Sequence, residues 1–129
     1  MAFAATSQIL HDGTRNVVMQ FTGVGDGAGG ETNVVKVDVS ELNPPAKFVF
    51  IRKVRYDVAG GVLQLLWGAD EPVPFLLLDG HDEFDYSSIT AMKNGGGDTA
   101  TGDILFTTLG FEAGSMYSIT LEMVKIGAP

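Results

Sequence analysis

Apolar and polar residues alternate along much of this chain, and the alternation has a period of two. In residues 16–22 (NVVMQFT), Val17, Met19 and Phe21 fall on one face, against Asn16, Val18, Gln20 and Thr22. In 34–39 (VVKVDV), Val35, Val37 and Val39 share a face, opposed by Val34, Lys36 and Asp38. Residues 48–59 keep the rhythm longest. Phe48, Phe50, Val54, Tyr56 and Val58 line up with Arg52 as the only charge among them, and Val49, Ile51, Lys53, Arg55 and Asp57 oppose them. Side chains that change sides at every residue make half-buried strands, and such a run over about ten residues does not fit a helix. Ala59-Gly-Gly-Val62 reads as a tight hairpin turn into 62–67 (VLQLLW). Further strands are expected at 75–78, 84–86, 103–108 and 115–126, the last with Tyr117, Ile119, Leu121, Met123 and Lys125 on one face. The one helical possibility is a turn at 87–93.

About eight strands, joined by loops too short for crossover helices, predict an all-β fold: a single-domain antiparallel β-sandwich, jelly-roll-like. Its 129 residues suit one domain, 1–129. The 17 glycines fall mostly between apolar runs, as turns do. The glycine-rich stretch 23–30 reads as a mobile loop, 94–102 as another, and 1–7 as a flexible N-terminal arm.

Charge then changes the picture. The net charge of −8 makes a surface that repels phosphate backbones, so nucleic acid is not an expected partner. There is no cysteine, which excludes disulfides and thiol chemistry. No apolar run is long enough to span a bilayer as a helix, and the N-terminus lacks the features of a secretory signal, so no membrane role is expected.

Candidate chemistry is thin. Gly25-Asp-Gly-Ala-Gly-Gly30 matches G-x-G-x-x-G, but a strand pattern follows where a dinucleotide site needs a helix. Asp79-Gly-His-Asp-Glu-Phe-Asp85 offers oxygen ligands without the calcium-loop spacing, and reads better as a solvated acidic turn or a contact for a basic surface. His11 and His81 both fall in predicted turns, and no G-x-S-x-G elbow accompanies them. The expectations are therefore no enzyme, no cofactor and no metal. Arg52, Lys53 and Arg55 form either a docking stripe for an acidic neighbour or a set of charges paired across strands. Trp67, in an apolar run, is expected in the core.

A resemblance narrows the function. Val62-Leu-Gln-Leu-Leu-Trp-Gly-Ala-Asp70 and the stretch from Thr101-Gly-Asp-Ile-Leu-Phe106 through Leu121-Glu-Met-Val-Lys125 resemble small virion proteins of tailed bacteriophages that decorate or cement the capsid. The similarity covers roughly residues 47–126 and brings no catalytic residues with it. It implies a β-sandwich, made in the host cytoplasm, that sits on the virion exterior, binds the major capsid protein at subunit junctions and stabilises the assembled shell. Self-association as a dimer or trimer would suit the symmetry axes of a shell. Candidate partner contacts are Phe3 in the arm, Arg52, Lys53 and Arg55 on the long strand, and Asp82 and Glu83 in the acidic stretch. The alternatives are a tail or neck component, a carbohydrate-binding module using Trp67 or Tyr86, and a cupin-like enzyme. The last would need several histidines and a carboxylate converging in a barrel.

Overall fold

The computed structural model describes residues 4–25, 30–86 and 92–127. Seven antiparallel strands form it: β1 (Ala4–Asp12), β2 (Asn16–Val24), β3 (Val34–Val37), β4 (Phe48–Trp67), β5 (Val73–Asp85), β6 (Ile104–Leu109) and β7 (Met116–Ile126). Two 3₁₀ turns, Val39–Glu41 and Gly97–Thr99, lie between them. The strand order is β1-β2-β7-β4-β6-β3, with β5 paired to the free side of β4. The all-β sandwich expected from the periodicity is the observed class.

The strand count hides three corrections. The expected hairpin at 59–62 does not exist. β4 runs unbroken through it, pairing with β7 over its first half and β6 over its second. The glycines bend a strand instead of reversing it. Gly60 sits at φ +84°, and a Cβ there would meet Ser115 Oγ at 2.7 Å. Ser115 pins the corner, donating from Oγ to the Gly60 carbonyl (3.0 Å) and accepting from the Glu112 amide (2.9 Å). The expected strand 75–78 and the first two residues of the expected strand 84–86 are both parts of β5, which bends at Gly80 (φ +78°) beside the same corner. Both long strands thus pass from one sheet layer to the other. Finally, the expected arm 1–7 is a strand from Ala4 onward, paired with β2 from Ala4↔Val24 to Asp12↔Val17. Residues 1–3, 26–29, 87–91 and 128–129 lie outside the described residues, and with them half of the expected glycine loop 23–30 and most of the expected helical turn 87–93; Gly23 and Val24, expected in that loop, are the end of β2.

One cluster of buried side chains fills the space between the layers. Val17, Phe21, Ile51, Val54, Leu63, Leu65, Phe106, Ile119 and Leu121 are completely buried in it. Phe21 and Tyr117 both pack edge-on against Phe106, with centroids 5.1 and 5.7 Å away. Trp67 is buried as expected and stacks on Phe75 at 3.9 Å. The periodicity placed the core face of β2 and β7 correctly. In β3 it failed for Val35, which is 48% exposed, because the register with β6 shifts between Val35 and Val37.

At one end of the sandwich β1 and β7 are tied directly. Lys125 Nζ lies 2.5 Å from Asp12 Oδ1 and donates to the Pro44 carbonyl at 2.8 Å, while Asp12 Oδ2 accepts from the Asn43 amide at 2.8 Å. Burial works against the charge on Asp12. The hydrogen bonds from Lys125 and Asn43 and the positive charge of Lys125 outweigh it, and hold the carboxyl below its ordinary value.

Candidate functional site

The outer face of β4 departs from the expected alternation, and the departure shapes the site. Val49 and Ile51 are buried, and so are Val54, Tyr56 and Val58. Strict alternation would have put the two sets on opposite faces. The register with β7 shifts between Ile51 and Lys53, so one extra residue, Arg52, enters the strand as a bulge. A bulge reverses the parity of every residue beyond it. Without it, either Val49 and Ile51 or the Val54–Tyr56–Val58 set would face water. With it, Arg52 turns outward and joins Lys53 and Arg55 on one solvent-facing stripe. The expectation that Arg52 points away from Lys53 and Arg55 is corrected by this extra residue.

The acidic residues of β5 lie alongside. Register places Lys53 opposite Asp85, Arg55 opposite Glu83, Tyr56 opposite Asp82 and Asp57 opposite His81. Arg55 holds Glu83 Oε2 from Nε (2.9 Å) and Nη2 (2.8 Å). Lys53 Nζ is within 3.9–4.0 Å of Glu83, Asp85 and Glu122. Arg52 is exposed and makes no ion pair among the described residues. Such exposed pairs contribute about 0–1 kcal/mol each, so they organise the surface more than they stabilise the fold.

Two shallow grooves result. The larger, about 610 Å³, is lined by Gln20, Arg55, Tyr56, Asp57, His81, Asp82, Glu83, Ser118 and Thr120. The smaller, beside it, is lined by Arg52, Lys53, Asp85 and Glu122. Burial and the charges of Asp82 and Asp79 push the Tyr56 hydroxyl up, so it stays protonated. Four of the six expected contact residues, Arg52, Lys53, Arg55 and Glu83, therefore share one face; a fifth, Asp82, is registered opposite the buried Tyr56 and so takes the other face of β5. The sixth, Phe3, lies outside the described residues. Both histidines are in strands, His11 in β1 and His81 in β5, not in the turns expected for them. No group of three or more histidine or acidic side chains is placed to hold a metal ion among the described residues.

A second polar cluster escaped the sequence reading. Glu31 is only 7% exposed. Its carboxylate accepts from the Tyr117 hydroxyl at 2.5 Å and is paired with Lys36 Nζ, which also lies 6.0 Å from the centre of the Phe106 ring. Burial, with the neighbouring Glu31 carboxylate, drives the Tyr117 hydroxyl far above its ordinary value. The phenol therefore stays a donor, and the set is self-satisfied: one anion, one cation, one hydroxyl. It ties the segment before β3 to the core. The only trace in the sequence was a lysine inside an otherwise apolar four-residue strand, which alternation had assigned to the outside.

No family model and no curated protein matches the chain. Among solved structures it is similar to a cupin domain from Bordetella pertussis, at 12% identity over 95% of this chain and 94% of that one, with a TM-score of 0.41. It is similar at 12% identity to the polyketide cyclase RemF from Streptomyces resistomycificus, over 97% of this chain and 68% of that one, with a TM-score of 0.42. KdgF from Halomonas sp. matches at 9% identity over 98% and 89% of the two chains, with a TM-score of 0.39. At these scores and identities none of the three carries chemistry over to this chain. One expectation is nevertheless corrected. A polyketide cyclase stands among the similar chains, so the lack of a recognisable catalytic set in the sequence is no ground for calling the protein a non-enzyme.

Proposed function

We propose that this domain is a structural protein of a tailed-phage virion that docks on the exterior of the assembled capsid through the outer face of β4 and β5. The observation that carries the reading is the bulge at Arg52. It gathers Arg52, Lys53 and Arg55 beside Glu83 and Asp85 on one open face, where a regular strand would have divided the three basic residues. Mixed charges exposed on a rigid sheet give a protein partner orientation and register more than raw affinity. The resemblance over residues 47–126 supports the capsid as that partner, with the major capsid protein supplying the complementary charges.

The mechanism is mass action. A domain that binds the assembled shell but not free subunits stabilises the shell by its binding free energy, repeated at every site. Each contact can then be modest.

The test is co-sedimentation with assembled shells, with free capsid subunits and with immobilised glycans. Saturable binding to shells alone is expected, with Arg52→Glu weakening it about tenfold at low salt and less at high salt. Binding to glycans and to no shell form would sink the reading in favour of a sugar-binding module. Trp67 could not serve such a module, because it is buried against Phe75. Binding to tail assemblies alone would move the domain elsewhere on the particle.

A further inference from the structure

β1 is the strand that the core does not use. Thr6 through His11 are all exposed, so neither face of the strand is covered; Ile9 is 48% and Leu10 49% accessible. One edge is laddered to β2, and β1 ends the sheet order, so the other edge has no partner strand among the described residues. Beneath it Ser7 and Ile9 overhang a groove of about 430 Å³ that reaches Met19, Val35 and Leu42. Natural sheets guard long free edges with lysine, proline, bulges or a covering loop, because the unused N–H and C=O groups template further pairing. From Ala4 to Leu10 this edge has no charge and no proline, and its one bulge comes at the far end, between Ile9 and His11. The opposite margin of the sheet is guarded: β3 is four residues long and carries Lys36.

Two features point to a second copy of this chain as the occupant. The first is charge. With 16 acidic against 8 basic residues, two copies repel each other, and β1 is a long strand along which they meet without bringing carboxylates together. The second is pattern. Ala5-Thr-Ser-Gln-Ile9 reads apolar, polar, polar, polar, apolar in both directions. A two-fold axis demands that kind of self-complementarity, since residue i must meet j and j must meet i. Centred on Ser7, antiparallel pairing sets Ala5 against Ile9, Thr6 against Gln8 and Ser7 against itself.

We propose that two copies join β1 to β1, antiparallel about a two-fold axis at Ser7, so that their sheets run on as one across the dimer. This goes beyond the docking face on β4 and β5 and leaves that face free in both copies.

The absence of native cysteine makes the test clean, because a single introduced cysteine forms a disulfide only with another copy. Sedimentation equilibrium of the wild type should give twice the 13.7 kDa chain mass. Ser7→Cys should cross-link to dimer under mild oxidation at least about tenfold faster than Leu109→Cys, an exposed control at the end of β6, because a residue on the axis faces its own copy. Ser7→Lys sets two like charges in direct opposition and should raise the dimer dissociation constant by roughly tenfold. A wild-type mass of one chain or three, or equal cross-linking of the two cysteine variants, would overturn the proposal. Shell binding plays no part in these measurements, so the two readings fail separately.

Discussion

β1 and β7 flank the same strand, β2, and differ in what holds them there. Both are long, and both are laddered antiparallel to β2 along most of their length. β7 buries Tyr117, Ile119, Leu121 and Met123 to 1% exposure or less. β1 buries none of the residues from Thr6 to His11. A backbone hydrogen bond exchanged with water nets about 1 kcal/mol, whereas a buried aliphatic side chain is worth roughly 1.5–3 kcal/mol. β7 is therefore part of the folding unit. β1 is held by its ladder, by the Thr6–Thr22 hydroxyl pair (2.6 Å) and by Asp12 at its end. A strand so attached is free to offer its other side to a partner, and a strand at the centre of the core is not.

Truncation should separate the two strands most sharply. Ile119→Ala leaves a cavity in a fully buried site and should cost about 2–5 kcal/mol, whereas Ile9→Ala should stay within about 0.5 kcal/mol in the monomer. Urea unfolding of both variants measures the difference, and similar losses would mean that β1 belongs to the core after all.

Next in size is the tie between the strands. Lys125→Ala strands the Asp12 carboxylate in a partly buried site and should cost about 2–3 kcal/mol. Lys125 is 4% exposed by side chain and Asp12 15%, so solvent screening discounts this little. If the variant unfolds at the wild-type urea midpoint, the two strands are held together by β2 alone.

The same pair gives a pH dependence. The Asp12 carboxyl is held below its ordinary value of 3.8 in the fold and returns to that value on unfolding. Its stabilisation is present above 3.8 and is lost as pH falls through the lower folded value. The stability gap between wild type and Asp12→Asn should then be widest near neutrality and close in acid. Denaturation curves that keep a constant gap down to about pH 3 would show that the charge on Asp12 does nothing for the fold.

The smallest effect is local. Thr6→Val removes an exposed hydroxyl pair and should cost less than about 1 kcal/mol. Its signature would be faster hydrogen exchange in β1 with no change in β7, since weakly packed elements open without global unfolding. Amides of β1 protected as strongly as those of β7 in a monomer would contradict the comparison.

The same contrast explains what could be read beforehand. β2 and β7 announced themselves because one face of each touches the core and water wets the other, which writes a period of two into the residues. β1 carries no such signature, so its start reads as an arm in the sequence. The candidate face was legible in part. The basic stripe and the acidic stretch were evident by composition, but their meeting depends on the pairing of β4 with β5, and Arg52 joins Lys53 and Arg55 only through the bulge, an extra residue that leaves no mark on a single strand read alone. Glu31 gave no signal because Tyr117, whose hydroxyl donates to it, lies 86 positions away.

By itself, then, the chain's order of residues determined the all-β class, the buried faces of β2 and β7, the burial of Trp67 and the acidic surface. These follow from local alternation and from counting charges. Tertiary structure decided the rest: that Gly60 bends a strand which then pairs with two different neighbours, that Arg52 turns outward beside Lys53, that Glu31, Lys36 and Tyr117 meet inside, and that β1 is left open. Each of these depends on which strands lie side by side, and strand neighbours are chosen by packing between residues far apart in the chain.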